Sequence, residues 1–242
     1  KITINFMLDK FYEKLASVHG KKKWRKLIKF FRKNFGEKDP GDLNFNYNSK
    51  PTRITIVQKI IDLKNFQSYL EIGTFNDELF SKIKCKKKIG VDPYYGGNVR
   101  MTSDEFFSGN KDKFDCIFID GLHHYNQVLK DIDNSLNVLN SNGIILMHDC
   151  LPQSLNAQSV PRTEATWNGD VWKALANKRF LNNLDCYTIC ADQGIGVILK
   201  RDNNNPLSTK VNNFKKLTYN YYYRNHKMLM NIIEFEDFLK IV

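Results

Sequence analysis

The feature that most constrains this chain is a series of short apolar runs, several of them closed by a polar residue. They read SYLEIG (68–73), KKIGVD (87–92), FDCIFID (114–120), GIILMHD (143–149), DCYTIC (185–190) and GIGVILK (194–200). Helix-like stretches fall between them at 77–83, 103–107, 125–139 and 170–176. Strand-length runs that alternate with helices predict α/β architecture: a Rossmann-like, doubly wound, mostly parallel sheet. The last two runs are parted only by residues 191–193, so they predict a hairpin.

Ahead of the sheet, residues 5–35 carry apolar positions at helical spacing and read as two helical segments broken near Gly20. The loop-like stretch GEKDPGDLNFNYNSKP then places a boundary near Pro51, and a helix over 54–63 leads into the first strand. The expected organisation is a basic helical extension over 1–50, the sheet domain over 51–201 and a helical tail over 202–242, with helical spacing in 226–241.

With 242 residues, one core of this kind is the economical solution. No apolar run approaches the ~20 residues of a membrane span. The first residues carry both signs of charge, unlike a secretory leader. Five scattered cysteines, without paired CxxC motifs, read as reduced thiols in a cytoplasmic protein. The formal charge of +11 favours anionic partners: nucleotide-linked substrates, nucleic acid or lipid headgroups. Much of it crowds residues 21–33, which suits an ordinary solvated helix face, peripheral contact with the inner face of a membrane, or docking of a glycosyltransferase. The same extension could serve as the arm of a homodimer or as a link to a neighbouring domain.

An open parallel sheet binds its ligand beyond the carboxyl ends of its strands. The first strand leaves through Glu71-Ile72-Gly73-Thr74, with Asn76 and Asp77 next, and the second ends in Asp92. A carboxylate about 20 residues after such a glycine turn is placed to accept hydrogen bonds from a ribose diol, which implies an adenosine cofactor. A dinucleotide loop wants GxGxxG to hold a pyrophosphate, whereas this loop has Gly73 alone among acids that would repel phosphate. Those acids suit the ammonium and sulfonium of S-adenosylmethionine better than NAD.

Two further strand ends carry polar clusters, Asp120-Gly121-Leu122-His123-His124-Tyr125 and His148-Asp149-Cys150. An imidazole among them, His123 or His148, can take a proton from an acceptor hydroxyl, with Asp120 or Asp149 orienting it or acting as the base. The polar segment PRTEATWNGDVWKAL reads as a cover over the site. In it Trp167 can stack on a sugar or base, Arg162 and Lys173 can pair with phosphate, and Asp170 and Trp172 can equally be a helix cap and a core residue.

The runs YLEIGT (69–74), GVDP (90–93), FDCIFIDGLHHY (114–125), GIILMHDCLP (143–152), VPR (160–162), WNGDVWKAL (167–175) and GIGVI (194–198) resemble class I methyltransferases of the Methyltransf_24 type, found among genes for bacterial surface polysaccharides. The resemblance implies an S-adenosylmethionine site at Glu71, Gly73, Thr74 and Asp92, with Asn76 and Pro93 beside them and contacts from Ser103 and Asp120. His124, Tyr125, Arg162, Trp167, Asp170 and Lys173 are the candidate substrate-binding residues, and the resemblance implies a sugar as the acceptor. It also implies a divalent ion, magnesium or manganese, at Asp120, His148 and Asp149. The histidine departs from the acidic pair of related sugar and antibiotic O-methyltransferases; imidazole weakens the case for magnesium and leaves manganese or no metal. RNA methylation, a non-catalytic partner domain and NAD-dependent oxidation are the rival readings.

Overall fold

The structure is a computed structural model that describes residues 22–242; the expected first helical segment, 5–19, lies outside them. The described chain opens with helix α1 (Lys22–Phe35). Helix α2 (Arg53–Lys64) follows, capped where Thr52 accepts the Thr55 N–H and ended by Asn65 in the left-handed region at φ 51°. Both are residue types that those cap positions favour.

The sheet has seven strands, which lie in the order β2 (Lys87–Val91), β1 (Ser68–Ile72), β3 (Phe114–Ile119), β4 (Leu139–Met147), β6 (Ile195–Leu199), β5 (Asp185–Ile189) and β7 (Ile232–Ile233). Strands β1 (Ser68–Ile72), β2 (Lys87–Val91), β3 (Phe114–Ile119) and β4 (Leu139–Met147) are mutually parallel. Strand β6 (Ile195–Leu199) runs antiparallel to β4 and to β5 (Asp185–Ile189), so the expected hairpin forms. Helices α3 (Ser103–Gly109), α4 (Tyr125–Val138) and α5 (Val171–Lys178) make the connections. The sheet is mostly parallel and doubly wound, as the sequence predicts. Strand order reverses between β1 and β3, which makes their carboxyl ends the switch point where such sheets bind ligands.

Two apolar layers sandwich the sheet. Leu70, Ile72, Ile117, Ile119 and Ile145 pack on one side with α4 and α5. Tyr69, Cys116, Phe118 and Leu146 pack on the other with Ile56, Val57 and Ile60 of α2. The period of two in each strand produces this division.

Two expected elements differ. Residues 77–83 form turns rather than a helix. Phe75 and Asp77 take left-handed φ values of 44° and 62°, and the side chains of Asn76 and Asp77 accept the Glu78 and Gly97 N–H groups. Such side-chain bonds offer the backbone an alternative to the helix. In the tail, helix α6 (Tyr219–Met230) begins ahead of residue 226 because Thr218 caps it, and it stops at Asn231 with φ 47°. Strand β7 (Ile232–Ile233) then joins β5, and the short helix α7 (Phe235–Phe238) returns to the core.

Residues 37–45 are joined to the sheet domain. Glu37 accepts the Tyr219 N–H at 2.8 Å, and Leu43 and Phe45 donate to the Gln153 carbonyl and side chain at 2.7 and 3.0 Å. No helix among the described residues is long and apolar enough to cross a membrane.

Candidate functional site

Register alone lines up the site. Ile72 pairs with Ile119, and Ile119 with Met147, so Gly73, Asp120 and His148 leave their strands in one row. Gly73 N–H donates to Val91 O, Asp120 N–H to Ile72 O and His148 N–H to Ile119 O, which fixes that row. Gly73 has φ 86°, and a Cβ there would lie 2.3 Å from the Asp120 carbonyl, so glycine is what lets the two strand exits touch.

Glu71 is 2% exposed and accepts the Tyr69 hydroxyl at 2.5 Å. Burial pushes its carboxyl up to about 8, the Tyr69 bond opposes this, and the charges of Asp120 and Asp77 add to it. No basic side chain hydrogen-bonds it among the described residues. A buried acid in this condition is stabilised by an incoming cation.

Asp92 holds the neighbouring loops together. Its Oδ2 accepts the Phe75 N–H at 3.0 Å, and its Oδ1 accepts those of Tyr94 and Tyr95 at 2.8 and 2.9 Å. Thr74 Oγ1 donates to Tyr95 O at 3.3 Å, while Asn76 and Pro93 lie exposed beside it. Much of the acceptor capacity expected for a ribose is thus engaged by backbone. Ser103 sits farther along the same rim, taking the Gln127 amide at 3.2 Å, and Gln127 also donates to buried Asp131 at 3.0 Å. Burial pushes Asp131 up to about 6 despite hydrogen bonds from Ser103 and Gln127.

Asp120, His123, His148 and Asp149 meet above the sheet, as the sequence anticipates. His123 Nε2 is 3.2 Å from Asp120 Oδ1, and its Nδ1 lies 3.2 Å from both Asp149 Oδ2 and the Trp167 carbonyl. His148 Nδ1 is 3.5 Å from Asp120 and 3.3 Å from Asp149, and its Nε2 is 3.0 Å from Asp192. Burial opposes charge on both rings, but the carboxylates outweigh it and raise both, His148 well above the usual histidine range. Burial likewise opposes ionisation of Asp120, yet the His148 charge and the His123 bond hold it well below the ordinary carboxylate range.

The ion implied at Asp120, His148 and Asp149 finds a modified donor set. Asp120, His123 and Asp149 each offer one ligand atom, all within 4.8 Å of one another. His123 thus joins the set, while His148 is also drawn toward Asp192. Two carboxylates and an imidazole fit manganese or another borderline divalent ion better than magnesium.

The covering segment makes several contacts with the site's own residues. The Trp167 indole stacks on His123 at 5.1 Å, its N–H donates to Ser159 O at 2.5 Å, and Arg162 lies over the ring at 5.8 Å. Gly169 packs so closely that a Cβ would fall 2.0 Å from the His123 carbonyl. Asp170 accepts the Tyr125 N–H at 2.6 Å, capping α4 rather than its own helix, and His124 meets Trp167 edge-on at 6.2 Å. Arg162 is bonded to the carbonyls of Glu164 and Ala165. Lys173 is buried, with Nζ 3.2 Å from the Lys215 carbonyl and 3.6 Å from Asp170. Trp172 is a fully buried core residue against Tyr222.

Four residues not singled out in the sequence complete the site. Arg53, first in α2, gives Asp192 its N–H at 2.6 Å and its guanidinium at 3.3 Å. Asn168, 1% exposed, donates to Asp149 Oδ1 at 2.8 Å and to Gln193 at 3.2 Å, and its own Oδ1 lacks a partner among the described residues. Asp192 and Gln193 occupy the β5–β6 turn with φ 42° and 65°. Only that turn was legible; its reach into the site depends on tertiary packing.

A family model described as a methyltransferase domain, Methyltransf_24, matches residues 64–150. No curated protein matches the chain. Among solved structures it is similar to the SAH-bound methyltransferase PaMTH1 of Podospora anserina, at 16% identity, covering 62% of this chain and 78% of that one, with a TM-score of 0.46. It is also similar to an O-methyltransferase of Bacillus cereus solved with SAH, at 12% identity, 78% and 96% coverage and a TM-score of 0.45. The O-methyltransferase TomG of Streptomyces achromogenes, in complex with SAM, matches at 11% identity, 60% and 78% coverage and a TM-score of 0.46. The stretch that this methyltransferase-domain model matches, residues 64–150, carries Glu71, Gly73, Asp92, Asp120 and the His148–Asp149 pair.

Proposed function

We propose that this protein transfers a methyl group from S-adenosylmethionine to a hydroxyl of a sugar, carried on a nucleotide or within a bacterial surface glycan. The observation that carries the cofactor reading is Glu71: a buried acid at the switch point, with Asp77 and Asp120 contributing negative charge around it. The turns at 77–83 support the same reading, since no helix N-terminus follows β1 to cradle a pyrophosphate.

When bound, S-adenosylmethionine supplies the electrophilic methyl. Glu71 meets the positive charge of the donor, and the Gly73–Asp120 contact sets the floor on which it lies. His123, in its neutral form, takes the acceptor's proton at Nε2, and Asp120 and Asp149 stabilise the resulting imidazolium. Trp167 and Gly169 hold that ring in place, and such positioning supplies much of the rate. With a divalent ion held by Asp120, His123 and Asp149, His123 would be a ligand rather than the base, and the ion would supply Lewis-acid charge near the acceptor oxygen in its place.

The sugar acceptor rests on the resemblance and on the chain's positive field. Mass spectrometry of nucleotide sugars incubated with the protein and S-adenosylmethionine tests it. A gain of one methyl group is expected; methylation of RNA, with every sugar unmodified, would replace this reading with the nucleic-acid one.

A further inference from the structure

Helix α1 is absorbed by neither the sheet core nor the site. Seven of its 14 residues are Lys or Arg and none is acidic. It is moored on one side: Ile28 is buried, Lys29 pairs with Glu164 at 2.8 Å, and Arg32 donates to the Pro161 carbonyl at 3.1 Å. Away from that mooring, Phe30 and Phe35 are 58% and 73% exposed, and Lys26 is exposed beside them.

We infer that this face of α1 docks on an anionic lipid surface. Charge complementarity selects an anionic partner, because a helix with this basic excess is drawn to a negative surface within a Debye length. The rings select the lipid. Phe30 and Phe35 both pack against Phe31, with centroids 5.9 Å apart and interplanar angles of 82° and 35°. They form a contiguous apolar patch rather than separated open faces of the kind on which successive bases stack. Phenylalanines flanked by lysines are the composition that settles at the boundary between headgroups and acyl chains. Because α1 is bonded to the segment carrying Trp167, which stacks on His123, the docking face and the wall of the site form one connected unit.

The test is flotation of the full chain with vesicles of phosphatidylcholine alone or enriched in phosphatidylglycerol. The enriched vesicles should bind about tenfold more tightly or better, with binding lost at high salt. Lys26→Glu should weaken binding, and the pair Phe30→Ser with Phe35→Ser should weaken it about tenfold without changing charge. Both phenylalanines are exposed, so an unchanged melting curve will show that the variant is folded. Equal binding to neutral vesicles, no effect of the phenylalanine pair, or tight binding to RNA with none to vesicles overturns the inference. No cofactor is needed for this measurement, so it stands or falls separately from the catalytic reading.

Discussion

His148 Nε2 lies 3.0 Å from Asp192 Oδ1, and that carboxylate is itself fixed by the Arg53 backbone and guanidinium. The His148 bond and Arg53 keep Asp192 ionised against the cost of its burial, so its carboxyl sits below the usual range. Replacing Asp192 with Asn keeps the shape and removes the charge behind His148. His148 contacts both Asp120 and Asp149, so turnover should fall. Cofactor affinity, measured by calorimetry, should hardly move. Unchanged turnover would show that His148 needs no orientation from the hairpin.

Glu71 makes cofactor binding depend on pH in a definite direction. In the free protein its carboxyl is pushed up to about 8, so near neutrality it is mostly protonated. A cationic ligand favours the ionised form, so binding releases a proton, and affinity should rise with pH until it levels off above about 8. The apo protein behaves oppositely. The folded state holds this proton more tightly than the unfolded chain, so the contribution to stability falls as pH rises from the ordinary value of 4.5 toward 8. Glu71→Gln should flatten both dependences, which calorimetry in buffers of different ionisation heat and thermal melts can read.

The strand ends were legible because several of the apolar runs stop at a polar residue, and β-sheet register carries that pattern directly into space. Asp120 and the His148–Asp149 pair were found in this way. The turns at 77–83 were not, since their apolar spacing is helical while Asn76 and Asp77 divert the backbone. The substrate roles of Trp167 and Lys173 came from side-chain chemistry, yet one braces His123 and the other is buried beside Asp170. Asn168, Asp192 and Gln193 reach the site through long-range packing of a loop and a hairpin, for which local sequence holds no signal.

Two glycines should resist even the smallest substitution. A Cβ at Gly169 would fall 2.0 Å from the His123 carbonyl, and one at Gly73 would fall 2.3 Å from that of Asp120. Both have positive φ, so backbone strain adds to the clash. Each alanine variant should lose at least about 1–3 kcal/mol of stability in denaturant titration. An alanine variant as stable as the parent would contradict the close approach.

Manganese binding by the protein alone, followed by electron paramagnetic resonance, separates the two histidines. His123→Ala should weaken it more than His148→Ala, because His123 completes the converging trio with Asp120 and Asp149. Asn168→Ala should weaken it by about 10–100-fold through release of Asp149. Equal effects of the two histidine variants would restore His148 to the ligand set.

Isothermal calorimetry of the full chain with S-adenosylhomocysteine, S-adenosylmethionine and NAD⁺ bears most directly on the whole account. Saturable heat with both adenosyl ligands and none with NAD⁺ is the expected result. Silence with the first two, together with uptake of NAD⁺, would show that the acids at the switch point do not receive a sulfonium.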